Sequence, residues 1–367
     1  MINYLQIENF KSLRRVSLPL RRLNMLFGMN GMGKSSVMQV LLLLRQSYWE
    51  NKKADLNKLH INGDLVRLGS VRDVYCQTAE EEYIRFFLKY SDGTEHDLVY
   101  DGLSQQPNNM AAMSRDVDVS DTKEPLFNMK CFYLGAEHIG PRIDYKIDSW
   151  NPSSADVYGT TGKYIVPFLA MKGESIRVPE CLCHEEGKTD SLIDQVSAWM
   201  SYISPGVKLS AVMAMGQESA RLKLRYAGEA LDSADISPVN VGFGIPYVLP
   251  LITELLISDE NTLLMLENPE SHLHPRGQTA IAKLIAKVAA SGAQVICESH
   301  SDHIINGIRI AVKKEELIPE YLSTFYFEKN TSQETEACAI DIDKNGNFSD
   351  YPAGLLDEWG ISMAELL

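Results

Sequence analysis

With 367 residues, 45% hydrophobic and 23% charged, the chain can bury a large core and has the make-up of a soluble globular protein with a main domain and a substantial insertion. No apolar run approaches the roughly 20 residues that cross a bilayer, which excludes a membrane-spanning helix and a membrane partner. A net charge of −14 argues against the whole surface serving as a nucleic-acid platform, because neutralising phosphates needs clustered cations.

The opening Met1-Ile2-Asn3-Tyr4 lacks the basic flank and cleavage site of a signal peptide. Six scattered cysteines (Cys76, Cys131, Cys181, Cys183, Cys297, Cys338) read as the reduced thiols of a cytoplasmic protein. Residues 2–10 alternate as a strand and a second strand is expected at 16–20. Residues 23–27 then read as a buried strand and 36–49 as an apolar helix. Between them, Gly28-Met29-Asn30-Gly31-Met32-Gly33-Lys34-Ser35 fits the phosphate-loop pattern G-x-x-x-x-G-K-[ST], with a spare hydroxyl at Ser36. A strand must deliver such a loop and a helix must start beneath it, and both flanks agree. The expected nucleotide contacts are Gly28, Asn30, Gly31, Gly33, Lys34, Ser35 and Ser36. Backbone N–H groups face the phosphates at a helix start, and glycines let the main chain wrap closely. Lys34 is expected to reach the β- and γ-phosphates, and the Ser35 hydroxyl to ligate Mg²⁺.

Further along, 82–90 and 95–100 form an expected hairpin around Ser91-Asp92-Gly93. Residues 105–124 read as a polar mobile loop, 127–134 as a strand, and 150–188 as irregular. Leu192, Val196, Trp199 and Ile203 have helical spacing over 191–203, and two strands follow at 208–214 and 220–226. From 246 the pattern is helix (246–257), strand (262–266), helix (277–290), strand (294–297), helix (302–312). Such alternation implies an α/β fold with a mostly parallel sheet and helices on its faces. No fixed-period repeat and no sustained heptad run is present.

Leu263-Leu264-Met265-Leu266-Glu267 is an apolar strand ending in a carboxylate, the Walker B arrangement, in which Glu267 holds Mg²⁺ through water. Gly242-Phe243-Gly244 opens a helix before it, and His300 follows the next strand. That order is the one found in ABC ATPases, and the chain resembles their RecF/SMC/OLD-like branch. Asn9-Phe10-Lys11-Ser12-Leu13 is similar to the opening of that branch. Leu266-Glu267-Asn268-Pro269-Glu270-Ser271-His272-Leu273-His274-Pro275 is similar to its Walker B and D-loop block, and Glu298-Ser299-His300-Ser301 to its switch segment. The likeness covers about 1–45 and 240–312. More loosely, Ala136-Glu137-His138-Ile139-Gly140-Pro141-Arg142 and Leu355-Leu356-Asp357-Glu358-Trp359 resemble small prokaryotic AAA-family ATPases with an uncharacterised C-terminal domain. Some of those act in Septu-like anti-phage systems beside a separate nuclease.

The resemblance implies an ABC-type ATPase head formed by 1–45 and 231–367, with a β-rich lead-in, and an inserted β-rich and helical lobe at 46–230. It implies ATP and Mg²⁺ as cofactors, with Ser35 and Glu267 as metal ligands. It also implies a head-to-head homodimer or higher assembly, in which Gly242 and Gly244 of one copy cover the ATP of the other. His300 is the expected γ-phosphate sensor. The residue after the Walker B acid is normally a glutamate that activates water, and here it is Asn268. An amide positions water without taking its proton, so hydrolysis is expected to be slow unless Glu270 substitutes across Pro269. The expected role is an ATP-dependent dimerising switch that controls a separate effector, a nuclease, in anti-phage defence. The rival is a RecF-like repair ATPase acting directly on DNA, which needs a continuous basic groove. A transporter ATPase ranks third, lacking membrane-coupling helices. SMC-like bridging is disfavoured by the absence of long coiled-coil arms.

Several other groupings invite chemistry. Glu270, His272 and His274, or Cys181, Cys183 and His184, could ligate a metal, against the plainer readings of an interface loop and adventitious cysteines. Asp341 and Asp343 suggest a Toprim-like acid pair, but Lys344-Asn345-Gly346-Asn347 makes a hairpin turn the expected structure. Lys11, Arg14, Arg15, Arg21 and Arg22 are either a solvated rim or a binding patch, and Lys11 also lies where a nucleotide contact is conceivable. Arg142 reads equally as a nucleotide or partner contact and as an interdomain ion pair.

Overall fold

A computed structural model of the chain describes residues 1–104, 109–113, 119, 123–128, 130–147, 159–214, 216, 218–228, 233–242, 244–352 and 354–366. Most of the polar loop expected at 105–124, the first part of the irregular stretch from 150, Phe243 and the expected domain boundary at 230/231 lie outside these residues. In chain order the first elements are β1 (Ile2–Phe10), β2 (Leu13–Pro19), β3 (Leu23–Gly28), α1 (Lys34–Glu50), β4 (Lys58–His60), α2 (Val71–Val74), β5 (Tyr83–Tyr90), β6 (Glu95–Asp101) and β7 (Asn109–Ala111). There follow β8 (Cys131–Leu134), β9 (Tyr145–Lys146), α3 (Ile165–Lys172), α4 (Leu192–Ile203), β10 (Val207–Met213) and β11 (Ser219–Tyr226). The last are α5 (Gly244–Leu256), β12 (Leu263–Glu267), α6 (Pro275–Ala290), β13 (Gln294–Glu298), α7 (Asp302–Lys313), β14 (Leu322–Lys329), β15 (Thr335–Ala339) and α8 (Glu358–Leu366). The fold is α/β, as the alternating pattern implies.

The chain forms two compact units, the first comprising residues 1–131, 296–300 and 319–367. Its lead-in is an antiparallel sheet of order β2-β1-β5-β6. Leu5 and Ile7 of β1 are fully buried on one face, which period-2 alternation makes legible in the sequence. The β5–β6 hairpin turns where Ser91-Asp92-Gly93 places it. β3 is buried along nearly its whole length, as a strand covered on both faces must be. It pairs in parallel with β14, from Leu322 opposite Leu23 to Phe327 opposite Gly28, and β15 adds antiparallel to β14. On its other side β3 is followed by the end of β13, where the Ser299 N–H donates to the Leu26 carbonyl at 3.2 Å. No strand is expected at 322–329 or 335–339, so β14 and β15 are additions. The expected strand at 127–134 is shorter: Pro125–Phe127 make a 3₁₀ turn and pairing begins only at Cys131. The Asn128 N–H closes that turn by donating to the Pro125 carbonyl, so it is not free for a strand partner.

The second unit comprises residues 132–295 and 301–318. Here β10, β11 and β9 form an antiparallel sheet. In the same unit the Gln294 N–H, at the start of β13, donates to the Thr262 carbonyl just before β12. Helix α3 lies inside the stretch expected to be irregular. Its Pro167 falls in the first turn, where a missing N–H breaks no intrahelical bond, so the Gly/Pro density of the region concealed a helix. α6 starts at Pro275, two residues before the expected 277, with His274 as its N-cap accepting from the Arg276 N–H. A packed pair joins β8's end to α5: the His138 ring stacks on Tyr247 with centroids 4.0 Å apart, and His138 Nδ1 lies 2.8 Å from the Tyr247 carbonyl oxygen. Burial pushes this imidazole down to about 4 from an ordinary 6.5, with the backbone hydrogen bond opposing.

Two predictions follow from this packing. Arg45, 1% exposed on α1, donates from Nη1 to the carbonyls of Leu126 and Asn128 at 2.8 and 2.6 Å. Arg45→Met strips the donor from both oxygens and should cost about 2–4 kcal/mol in urea unfolding; a shift under about 0.5 kcal/mol would contradict it. His138 is neutral when folded and takes a proton readily when unfolded. Its contribution is therefore complete above about pH 6.5 and is lost as pH falls toward 4. Between pH 7 and 4.5, wild type should lose about 2 kcal/mol more than His138→Gln; parallel losses would contradict the assignment.

Candidate functional site

In the first unit the phosphate loop is shaped by its glycines and by what lies under them. Gly28 has φ of +132°, and a Cβ there would overlap the Phe327 carbonyl of β14. Gly33 has φ of +99° and its missing side chain leaves room for Thr335, whose hydroxyl donates to the Met32 carbonyl at 3.0 Å. Met29, Asn30 and Gly31 form an exposed crest, while Lys34 and Ser36 turn inward at the start of α1. A Cβ at either glycine would press into the chain beneath, so only glycine lets the loop follow this close path to a helix N-terminus. A phosphate group fits that geometry and charge.

Lys34, 3% exposed, donates from Nζ to the carbonyls of Gly28 and Met29, both at 2.8 Å. Nζ also stands 3.9 Å from Oε1 of Glu298, the last residue of β13. The same carboxylate oxygen accepts from the Ser35 hydroxyl at 3.0 Å and lies 3.9 Å from His300 Nε2. Desolvation lowers the Lys34 ammonium and the facing carboxylate opposes it; His300 is lowered by desolvation and then by the Lys34 charge. Three expected site residues, Lys34, Ser35 and His300, therefore gather on a fourth that sequence reading missed. The signal was present: Glu298 closes an apolar strand with a carboxylate, the feature that singled out Glu267.

In the second unit Glu267 ends β12. Its carboxylate accepts from the Tyr133 hydroxyl at 3.1 Å and from the Ala136 N–H at 3.3 Å. Burial raises its pKa against both hydrogen bonds. The Tyr247 hydroxyl donates to the Ala136 carbonyl, so the His138–Tyr247 stack braces the segment that holds Glu267. Asn268 has φ of +48°, a left-handed conformation that asparagine tolerates better than most residues. Its Oδ1 is buried with no hydrogen-bond partner among the described residues. Glu270 sits in the turn that follows, its carbonyl accepting from the Leu273 N–H. Gly244 opens α5 pressed against the His272 carbonyl, whereas Gly242 is exposed, its carbonyl accepting from the Ile245 N–H at 3.2 Å.

The remaining candidates have other work. His274 caps α6, and His272 packs its ring edge-on against Tyr247 at 4.7 Å. His184 packs against Trp199 and Tyr202. Among the described residues no group of three His, Cys, Asp or Glu is placed to hold a metal by itself. Asp343 accepts from the Asn345 and Asn347 N–H groups in the expected tight turn, closed by the Ile342–Phe348 bridge. Lys11 donates to Gln39, Arg14 pairs with Glu81, Arg15 with Glu8, Arg21 donates to the Pro319 and Leu322 carbonyls, and Arg22 lies over Tyr321. Arg142 is exposed, and its backbone N–H donates to the Tyr145 hydroxyl.

Residues 1–117 match the family described as "AAA ATPase domain". Residues 199–306 match "AAA domain, putative AbiEii toxin, Type IV TA system". Residues 317–366 match "Protein of unknown function (DUF3696)". No curated protein sequence matches the chain. Among solved structures it is similar to an SMC head bound to the C-winged helix domain of ScpA, at 13% identity and TM-score 0.51, covering 94% of this chain and 98% of that one. It is also similar to the SMC head domain from Thermotoga maritima, at 11% identity and TM-score 0.50, covering 93% and 99% respectively. No helix among the described residues is long and apolar enough to cross a membrane. Residues 1–117, which carry the phosphate-loop pattern, and residues 199–306, which carry the strand ending at Glu267, thus each match an AAA ATPase domain, and the fold as a whole is similar to that of SMC heads.

Proposed function

We propose that this protein is an ATP-dependent dimerising switch with slow hydrolysis, controlling a separately encoded effector, a nuclease, in prokaryotic anti-phage defence of the Septu kind. The head consists of about 1–45 and 231–367, with 46–230 as its inserted lobe, and the protein works in the cytoplasm. Gly28, Asn30, Gly31, Gly33, Lys34, Ser35 and Ser36 hold the triphosphate. Ser35 and Glu267 hold Mg²⁺, which when bound neutralises phosphate charge. Gly242 and Gly244 of a second copy close over the nucleotide, and His300 reports the γ-phosphate. The observation that carries the reading is the buried gathering of Lys34, Ser35 and His300 on Glu298, which ties the phosphate loop directly to the switch segment. Loss of a phosphate group at the loop is then felt at His300, next to the N-cap of α7.

Slow turnover is supported by Asn268. Its unpartnered amide oxygen can accept from a water but cannot remove a proton from it. The left-handed backbone there also suits asparagine. The pairing of Arg14 and Arg15 with carboxylates favours a protein effector over the RecF-like alternative of direct DNA action; a gel shift with duplex DNA at physiological salt discriminates the two.

In sedimentation velocity, wild type should dimerise with Mg·ATP and Lys34→Ala should not; equal sedimentation of the two would count against the switch. Asn268→Glu should raise ATP turnover about tenfold or more by restoring a base, even with strain of about 1 kcal/mol from the backbone conformation. A wild type already turning over at about 1 s⁻¹ or faster would contradict slow hydrolysis.

A further inference from the structure

Glu298 is 6% exposed and sits on the floor of the phosphate loop. A buried carboxylate beside a buried lysine has a plain explanation as its counter-ion. The distances point elsewhere. Lys34 Nζ makes its short contacts, at 2.8 Å, to the loop carbonyls and stands 3.9 Å from the carboxylate. The hydrogen bond to Glu298 comes instead from the Ser35 hydroxyl, at 3.0 Å. That hydroxyl is the group a phosphate-loop site offers to its cation, and an acid bonded to it lies beside the cation's position.

Charge completes the argument. A triphosphate brings several negative charges to a loop whose nearby cation is Lys34. A carboxylate fixed within 4 Å of that lysine repels a metal-free nucleotide and weakens the lysine's pull. With a divalent cation between them, the repulsion becomes a favourable bridge. We propose that Glu298 is a cation-holding residue of the nucleotide site, acting with the Ser35 hydroxyl to make triphosphate binding depend on a divalent metal. The inference rests on the nucleotide-binding reading of the loop. It adds that metal-free ATP is rejected by a named residue outside the Walker B strand.

The test measures the dissociation constant of a fluorescent ATP analogue with saturating Mg²⁺ and with EDTA, for wild type, Glu298→Gln and Glu298→Asp, with thermal melts as the folding control. Wild type should bind at least about tenfold tighter with Mg²⁺. In Glu298→Gln the EDTA affinity should rise and the Mg²⁺ affinity fall, shrinking the ratio about tenfold or more. Glu298→Asp keeps the charge but withdraws it from Ser35, so it should retain the metal-free penalty while losing part of the Mg²⁺ gain. Mn²⁺ titration of the ATP complex, followed by electron paramagnetic resonance, should show weaker cation retention in Glu298→Gln. A uniform weakening under both conditions would assign Glu298 to loop support and overturn the proposal, as would an unchanged ratio. Should Glu298→Gln fail the melt control, the Asp variant decides on the same criterion. Wild type that binds no analogue under either condition would overturn the nucleotide reading itself, a result distinct from either variant outcome.

Discussion

The close approach of the Phe327 carbonyl to Gly28 is the constraint on which the phosphate loop depends. β14 runs parallel to β3 and ends level with the loop, so the main chain at Gly28 has no room for a side chain. Forced into a positive φ, the chain leaves β3 sharply, rises through an exposed crest and re-enters at Gly33 to start α1. The helix start then supplies N–H groups where the crest opens, and Lys34 is drawn inward to the loop's own carbonyls. A local motif is thereby held by a strand almost three hundred residues away in sequence.

The same economy governs the second unit. Glu267 is a buried acid at the end of a strand, held by one hydroxyl and one backbone N–H from the segment after β8. That segment is braced in turn by the Tyr247 hydroxyl and by the stacked His138 ring. Burial disfavours the charged forms of both the Glu267 carboxyl and the His138 ring, and it is the His138 ring that makes this arrangement sensitive to acid.

The departure at Asn268 has a double reading in physical terms. The position takes a left-handed backbone, which disfavours the glutamate expected there, and the amide still presents an acceptor. Backbone and side chain therefore both fit an asparagine at this position. Meanwhile, the carboxylate that does face the phosphate loop in the first unit belongs to the switch segment, two residues before His300.

Local signals were legible in the sequence wherever a short-range rule applies. The phosphate-loop spacing, the alternation in β1, the Asn345-Gly346 turn and the acid closing β12 all express covalent geometry or side-chain period, which neighbours in sequence dictate. Other features required the folded chain. Helix α3 was masked because proline is compatible with a first helical turn, a fact of position rather than composition. The acid closing β13 was legible in the sequence, but its contact with the phosphate loop was not, because Lys34 and Ser35 lie more than 260 residues away and only β13 running beside β3 brings them to it. Sequence by itself determined the phosphate-loop pattern; the pairing of distant strands decided which carboxylate stands beside the loop, because electrostatic contact follows distance in space and no local pattern encodes that distance.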